Sequence, residues 1–181
     1  MRFRDSTFGS LLKPIGRRAF QALVERFDGD AYDKRFKSWD HLVAMIYAQL
    51  SDADSLRGLA TGFNANAQHH YHLGVGELAR STLSDANARR PPGIFAQTFA
   101  MLSGMADRQT RREGAEMIRL IDASPIPLGK TCKWATWNGR IRGMKMHVVY
   151  DPQADVPHSV ESRRRMSTMS RSAAARRSRP A

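Results

Sequence analysis

Cysteine is almost missing from this chain, where Cys132 stands alone. One thiol excludes an internal disulfide and fits a reducing compartment. Long apolar runs are missing too. No stretch approaches the ~18 apolar residues of a membrane-spanning helix. The N-terminus, "MRFRDSTFGSLLKPIGRRAF", lacks a continuous apolar core of signal-peptide length. These absences predict a soluble, cytoplasmic protein with no membrane partner. Acids are scarce: 17 Asp+Glu against 29 Lys+Arg leave a formal charge of +12, with a pI near 10.8. That balance makes nucleic acid the leading partner class and an anionic membrane the second. Hydrophobic residues make up 41% of the 181, enough for one sizeable domain or two small ones. Half of the charge excess sits at the end of the chain. From His158 to Ala181 there are seven arginines and one glutamate, a net +6, so the body carries the other +6.

What is present divides by period. "SLLKPIGRRAFQALVERFDGD" predicts a helix from about Gly16 to Phe27, since Phe20, Leu23, Val24 and Phe27 fall at helical spacing. Asp28-Gly29-Asp30 then makes a turn, and Pro14 sits just ahead, where a starting helix tolerates it. In "SWDHLVAMIYAQLS", Leu42, Met45, Ile46, Gln49 and Leu50 form one apolar face, with Ser38 or Asp40 as cap. "DADSLRGLATGFN" reads as a short helix behind an Asp/Ser cap, ending near Gly62 or Asn64. "ARSTLSDANARRPPG" offers Ser81 as N-cap of another, stopped by Pro91-Pro92. Two short helices around a polar turn, the later ending in Arg89-Arg90, form a helix-turn-helix candidate. They suit an all-α domain with no DNA role as well. "GIFAQTFAMLSGMADRQTRREGAEM" adds an amphipathic helix through Ile94, Phe95, Phe99, Met101 and Leu102. From Met117 the pattern turns to strands, "MIRLIDASPIPL" and "MKMHVVYDP", joined by the loop "GKTCKWATWNGRIRG".

Asp122 ends the apolar run "MIRLI". A carboxylate at the end of a buried strand can ligate Mg²⁺, which takes oxygen ligands. On spacing alone, a turn cap beside Ser124 and Pro125 is the better reading. Lys145 and His147 alternate with Met144, Met146 and Val148, so as strand residues they share a face, toward phosphate or toward solvent. Lys130, Lys133, Arg140 and Arg142 with Trp134 and Trp137 make the preceding loop basic and aromatic, suited to phosphates and stacked bases or to an ordinary surface. "AQHHYHLG" brings His69, His70 and His72 together, but no cysteine or acid lies at a matching spacing for a metal.

The series "AQLSDADSLRGLATGFN", "YHLGVGELARSTLSDANARRP", "LIDASPIPL" and "RGMKMHVVYD" resembles bacterial insertion-sequence transposases, from about residue 5 to residue 157. The similar group is the one named after the fourth insertion sequence. The resemblance implies an α+β chain in three parts. A helical N-terminal DNA-binding domain covers 1–105, and the first strands of an incomplete RNase H-like catalytic domain cover 106–160. A basic, disordered tail covers 161–181. It also implies DDE chemistry, in which three acids hold two Mg²⁺ ions for an in-line phosphoryl transfer. Asp122 matches the first acid, at once catalytic residue and metal ligand. The DNA-binding set becomes Arg57, Ser81, Thr82, Arg89, Arg90, Arg140, Arg142, Lys145 and His147, with the terminal inverted repeats of an element as partner.

The family pattern runs on where this sequence does not. The second acid belongs to a "FDKGY"-like segment and the third to a Tyr/Arg/Glu/Lys signature on a later helix. Asp151 and Asp155, in "YDPQADVP", replace neither. The expectation is a truncated transposase that binds DNA, holds Mg²⁺ poorly and is inactive in strand transfer. The alternative is an inhibitor or regulator of full-length transposase, which would then be a second partner. A basic structural or RNA-associated protein draws on charge alone. The tail fits truncation by a frameshift between about Val156 and Glu161. Relatives continue with a stretch like "ITPANVNDV", and GC-rich codons for it, read from the second base, give Ser162 to Ser170 of this chain.

Overall fold

The computed structural model describes residues 7–112, 119–128, 136–137, 142–152 and 155–163. They fall into two compact units, Met1–Leu102 and Ser103–Ala181. The helices are α1 (Thr7–Leu12), α2 (Arg17–Arg26), α3 (Ser38–Leu50), α4 (Leu56–Asn64), α5 (His70–Leu73), α6 (Arg80–Arg89) and α7 (Gly93–Arg112). The strands are β1 (Leu120–Pro127), β2 (Thr136–Trp137), β3 (Arg142–Asp151) and β4 (Val156–Arg163). This is a mixed α+β chain, helical first and stranded later.

The most apolar stretch of the sequence becomes the centre of the first unit. Every residue of α3 from Ser38 to Ala44 is buried. Its entry is fixed by acids, which suit the positive end of a helix. Asp40 Oδ2 accepts from the Lys37 N–H at 3.0 Å, and Asp30 Oδ1 accepts from the Ser38 N–H at 2.6 Å. The cap is therefore shared between Asp40 and an aspartate from the preceding turn, rather than made by Ser38. Trp39 packs edge-on against Phe20 of α2, and its Nε1 donates to Leu73 O at 2.9 Å. Around α3 the core collects Val24, Val43, Leu59, Phe63, Leu83 and Ile94. Burying each of the larger side chains contributes about 1.5–3 kcal/mol before entropy is charged against it.

Shorter helices follow their local signals. Ser55 Oγ accepts from the Gly58 N–H at 3.1 Å and starts α4 as the Asp/Ser cap predicts. The turn after α2 closes through Gly29 N–H to Val24 O at 2.9 Å, with Asp28 in the left-handed region that aspartate tolerates. Between α4 and α6 the chain makes a 3₁₀ turn, Ala67–His69, and the short α5, which the apolar pattern does not announce. Gly74 ends α5 at φ +64°, where a glycine is favoured. Asn64 then ties the two sides together. Its Nδ2 donates to Leu78 O and its Oδ1 accepts from the Leu78 N–H, both at 2.9 Å.

In the second unit β3 is the central strand of an antiparallel sheet. β1 pairs along one edge, from Leu120↔Tyr150 to Pro127↔Gly143. β4 pairs along the other from Lys145↔Arg163 to Asp151↔Val156, and β2 meets β3 at Arg142 and Gly143. β2 falls inside the segment expected to be a loop, held there by its pairing with β3, and β4 is a third long strand beyond the two read from the apolar pattern, reaching Arg163 inside the segment read as tail. Ser103 Oγ, on the part of α7 that belongs to this unit, donates to Pro157 O of β4 at 3.0 Å.

Candidate nucleic-acid interface and the Asp122 strand

Helix α6 packs on α4. Leu83 and Ala86 bury one side of α6, and Ser81, Ser84, Asp85 and Ala88 form a solvent-facing crest at i, i+3, i+4 and i+7. Thr82 and Arg89 flank the crest on one side and Arg80 on the other, all exposed. Arg57, in the first turn of α4, is exposed as well. Small hydroxyls and one acid on a narrow crest between arginines can meet base edges while the arginines take phosphates. Ser81 is not the N-cap expected from sequence. The cap position is Ala79, with no side-chain hydrogen bond, so Ser81 keeps its hydroxyl on the surface. Arg80 was missed in the sequence reading, and its only signal is its place one residue before Ser81.

Arg90 departs from the expectation of a DNA contact. It is 7% exposed. Its Nη2 bonds Asp33 Oδ2 at 2.8 Å and the Phe36 carbonyl, with Asp30 at 3.9 Å, and the guanidinium lies 5.2 Å over the Phe36 ring. A cation clamped this way ties the end of α6 to the segment before α3 and offers nothing to phosphate. Nearby, His41 Nε2 lies 2.6 Å from Asn87 Oδ1, joining α3 to α6, between the rings of Phe36 and Phe95. Burial lowers the His41 pKa below the ordinary imidazole value; the Asn87 bond opposes this and Arg90 adds to it.

The sheet separates the remaining candidates. Side chains directly opposite in an antiparallel pair share a face, and neighbours along a strand alternate. Asp122 pairs with Val148, and so shares its face with Leu120, Ser124, Met146, Val148 and Tyr150. His147 pairs with Ala123 and Glu161, and Lys145 with Pro125 and Arg163, so both basic residues lie on the other face. Lys145 and His147 do share a face with each other, and both are half-buried. Asp122 is exposed, and Ser124 Oγ donates to its Oδ2 at 2.7 Å. That bond, with a second from the Ala123 backbone, lowers the Asp122 pKa and keeps it ionised. Among the described residues no three histidines, cysteines or acids gather as a metal-binding group. Among the described residues Asp122 is the one carboxylate on its face of the sheet, and these residues do not by themselves fit a two-metal centre. His70 of the histidine cluster is buried, its Nε2 3.1 Å from Phe63 O and its ring stacked near Phe63. Arg142 is placed at the start of β3, opposite Trp137. Arg140, Lys130, Lys133 and Trp134 lie outside the described residues.

Residues 113–168, which include Asp122 and the sheet, match the model of a transposase DDE domain. Residues 4–76 match a domain of unknown function, DUF4372. A protein of Sinorhizobium fredii named as transposase y4zB is 67% identical over 79 residues, 44% of this chain and 22% of the relative. A protein of Geobacillus stearothermophilus named as a transposase for insertion sequence element IS5377 is 30% identical over 131 residues, 65% of this chain and 35% of the relative. No solved structure matches. Both relatives carry transposase names, and the DDE match lies in the second unit. The chain spans between a fifth and about a third of the length of these relatives. Among the described residues no helix is long and apolar enough to cross a membrane.

Proposed function

We propose that this chain is the DNA-recognition part and the first catalytic strands of an insertion-sequence transposase of the group named after the fourth insertion sequence. The observation that carries the reading is the match of residues 113–168 to a transposase DDE domain, with Asp122 inside it on the edge strand β1. In this reading α6 enters the major groove of a terminal inverted repeat, and Ser81, Ser84 and Asp85 meet base edges. Arg57, Arg80, Thr82 and Arg89 meet the phosphates on either side. The strands are the start of an RNase H-like fold, and Asp122 is the first acid of the metal-binding set. Divalent metal is the family's cofactor. Among the described residues Asp122 is the ligand that this chain brings to it.

Fluorescence anisotropy with a duplex from the element's own end, against a scrambled duplex, tests this at two salt concentrations. Preference for the terminal sequence that persists as salt rises is the expected result. Equal affinity for both duplexes, lost together with salt, would reduce the binding to bulk charge.

A further inference from the structure

The segment between α2 and α3 carries an aromatic side chain where the backbone favours none. Asp30–Asp33 closes as a β-turn, the Asp33 N–H donating to Asp30 O at 3.1 Å. Tyr32 holds its third position at φ +64°, in the left-handed region that suits glycine or asparagine. Its ring is 100% exposed, so no packing offsets that conformation. Strain of this kind persists where the surroundings enforce it, and it gathers at sites of function. We propose that Tyr32 is a stacking platform for an unpaired nucleic-acid base, with Lys34, Arg35 and Arg89 holding the phosphates around it. The inference rests on the DNA reading to the extent that α6 brings the duplex to this turn.

The surroundings do enforce it. Asp33 Oδ2 accepts from Arg90 Nη2 at 2.8 Å, and Arg89 Nη2 lies 3.7 Å from Asp33 Oδ1. The Asp33 carbonyl accepts from Lys37 Nζ, and Asp30 Oδ1 accepts from the Ser38 N–H at 2.6 Å. The turn is thereby fastened on both sides of Tyr32, to the end of α6 and to the start of α3. A ring on so fixed a support loses little freedom when a base settles on it. These bonds also occupy the two acids of the turn. Lys34 and Arg35 follow, both exposed, and their side chains make no hydrogen bond or ion pair among the described residues. Asp28 is the exposed acid of the segment, and Lys34, Arg35 and Arg89 outnumber it. An exposed ring among exposed cations suits single-stranded nucleic acid, in which every base offers a π-face and every phosphate a charge. A paired base keeps its faces inside the duplex stack, so the fitting occupant is an unpaired one.

Two duplexes from an element's end decide it, identical except that one carries short single-stranded extensions at both ends, with 2-aminopurine among their bases. Anisotropy gives the affinity of the full chain for each at about 0.1 M salt, and quenching of the 2-aminopurine fluorescence reports stacking. The wild type is expected to bind the extended duplex about tenfold more tightly and to quench its fluorophore. Tyr32→Asn should lose both the preference and the quenching, whereas Tyr32→Phe keeps both. Tyr32→Asn should also melt at or above the wild-type temperature, because asparagine tolerates the left-handed region. A fall in its Tm assigns the ring a structural role and overturns the proposal. Equal affinity of the wild type for the two duplexes overturns it as well, and so does a preference that Tyr32→Asn retains. The paired duplex tests the DNA reading by itself. Binding to it with no gain from the extensions removes the stacking role alone, and binding to neither removes both.

Discussion

Replacing Arg90 by alanine separates a structural cation from a DNA contact. Its side chain is 3% exposed, and it holds Asp33 at 2.8 Å while Asp30 sits at 3.9 Å. Removing one partner of a fully buried pair costs about 3–5 kcal/mol, because the other charge is stranded. The two aspartates are about one-fifth exposed and regain some water, which lowers the expected loss to about 2–3 kcal/mol. For a domain of this size that is a fall in Tm of about 10–20 °C. Far-UV circular dichroism reads it, since helices α1 to α6 all belong to the first unit. Arg89→Ala is the control. Its side chain is 66% exposed, with Asp33 at 3.7 Å, so its stability effect should stay within about 1 kcal/mol. Arg89→Ala should instead weaken DNA binding and reduce the slope of log affinity against log salt by about one. The reasoning fails if Arg90→Ala melts like the wild type and loses DNA affinity as Arg89→Ala does.

Three further outcomes follow from the same structure. His41 has a lowered pKa in the folded chain, so its contribution to stability is complete above the unfolded value of about 6.5 and is lost as pH falls below it. In His41→Gln that part of the pH dependence should vanish, as melts at pH ~7.5 and ~5 would show. Asn64→Ala strands the N–H and C=O of buried Leu78, which should cost about 2–4 kcal/mol in denaturant unfolding; a loss under 1 kcal/mol would mean water replaces both bonds. Titration calorimetry with Mg²⁺ or Mn²⁺ should show no saturable site that Asp122→Asn abolishes, and a tight stoichiometric site would refute the single-ligand reading.

Local signals announced α2, α3, α4, α6 and α7, whereas α1 and α5 were not foreseen. The Ser55 cap and the Asp28 turn each rest on a few neighbouring residues, so they could be read directly; of the face expected on α3, Leu42 is buried, Met45 and Ile46 are half-buried, and Gln49 and Leu50 are exposed, because the helix buries its first two turns instead. Arg90 was legible in principle: it follows Leu83 and Ala86 at i, i+3 and i+7, one residue past the end of α6, and all three are buried. The reading failed because arginine beside Arg89 suggested a charged surface, and no local rule announces that Asp30 and Asp33 are waiting some 57 residues earlier. The Asn64–Leu78 clamp and α5 were hidden for a related reason, as both depend on how a loop folds back. β4 was missed because "VPHSVESR" alternates weakly and begins beside a proline.

The candidate catalytic strand shows where period alone stops. Alternation correctly puts Lys145 and His147 on one face, but it cannot say which face of the sheet that is relative to Asp122. Register decides that, and the alternation of residue types within β3 does not announce it. With Asp122 opposite Val148, the acid looks out over Leu120, Met146, Val148 and Tyr150, while the basic pair looks the other way beside Glu161. Lys145 and His147 therefore cannot neutralise a phosphate held at Asp122 from their own strand. Any further ligands for a metal there have to approach the Asp122 face, or the free edge of β1, from chain outside this sheet. On that geometry, substituting Lys145 or His147 should weaken nucleic-acid binding, and substituting Asp122 on the opposite face should leave it unchanged. DNA anisotropy on the three variants measures this, and equal losses in all three would mean that the two faces serve one site.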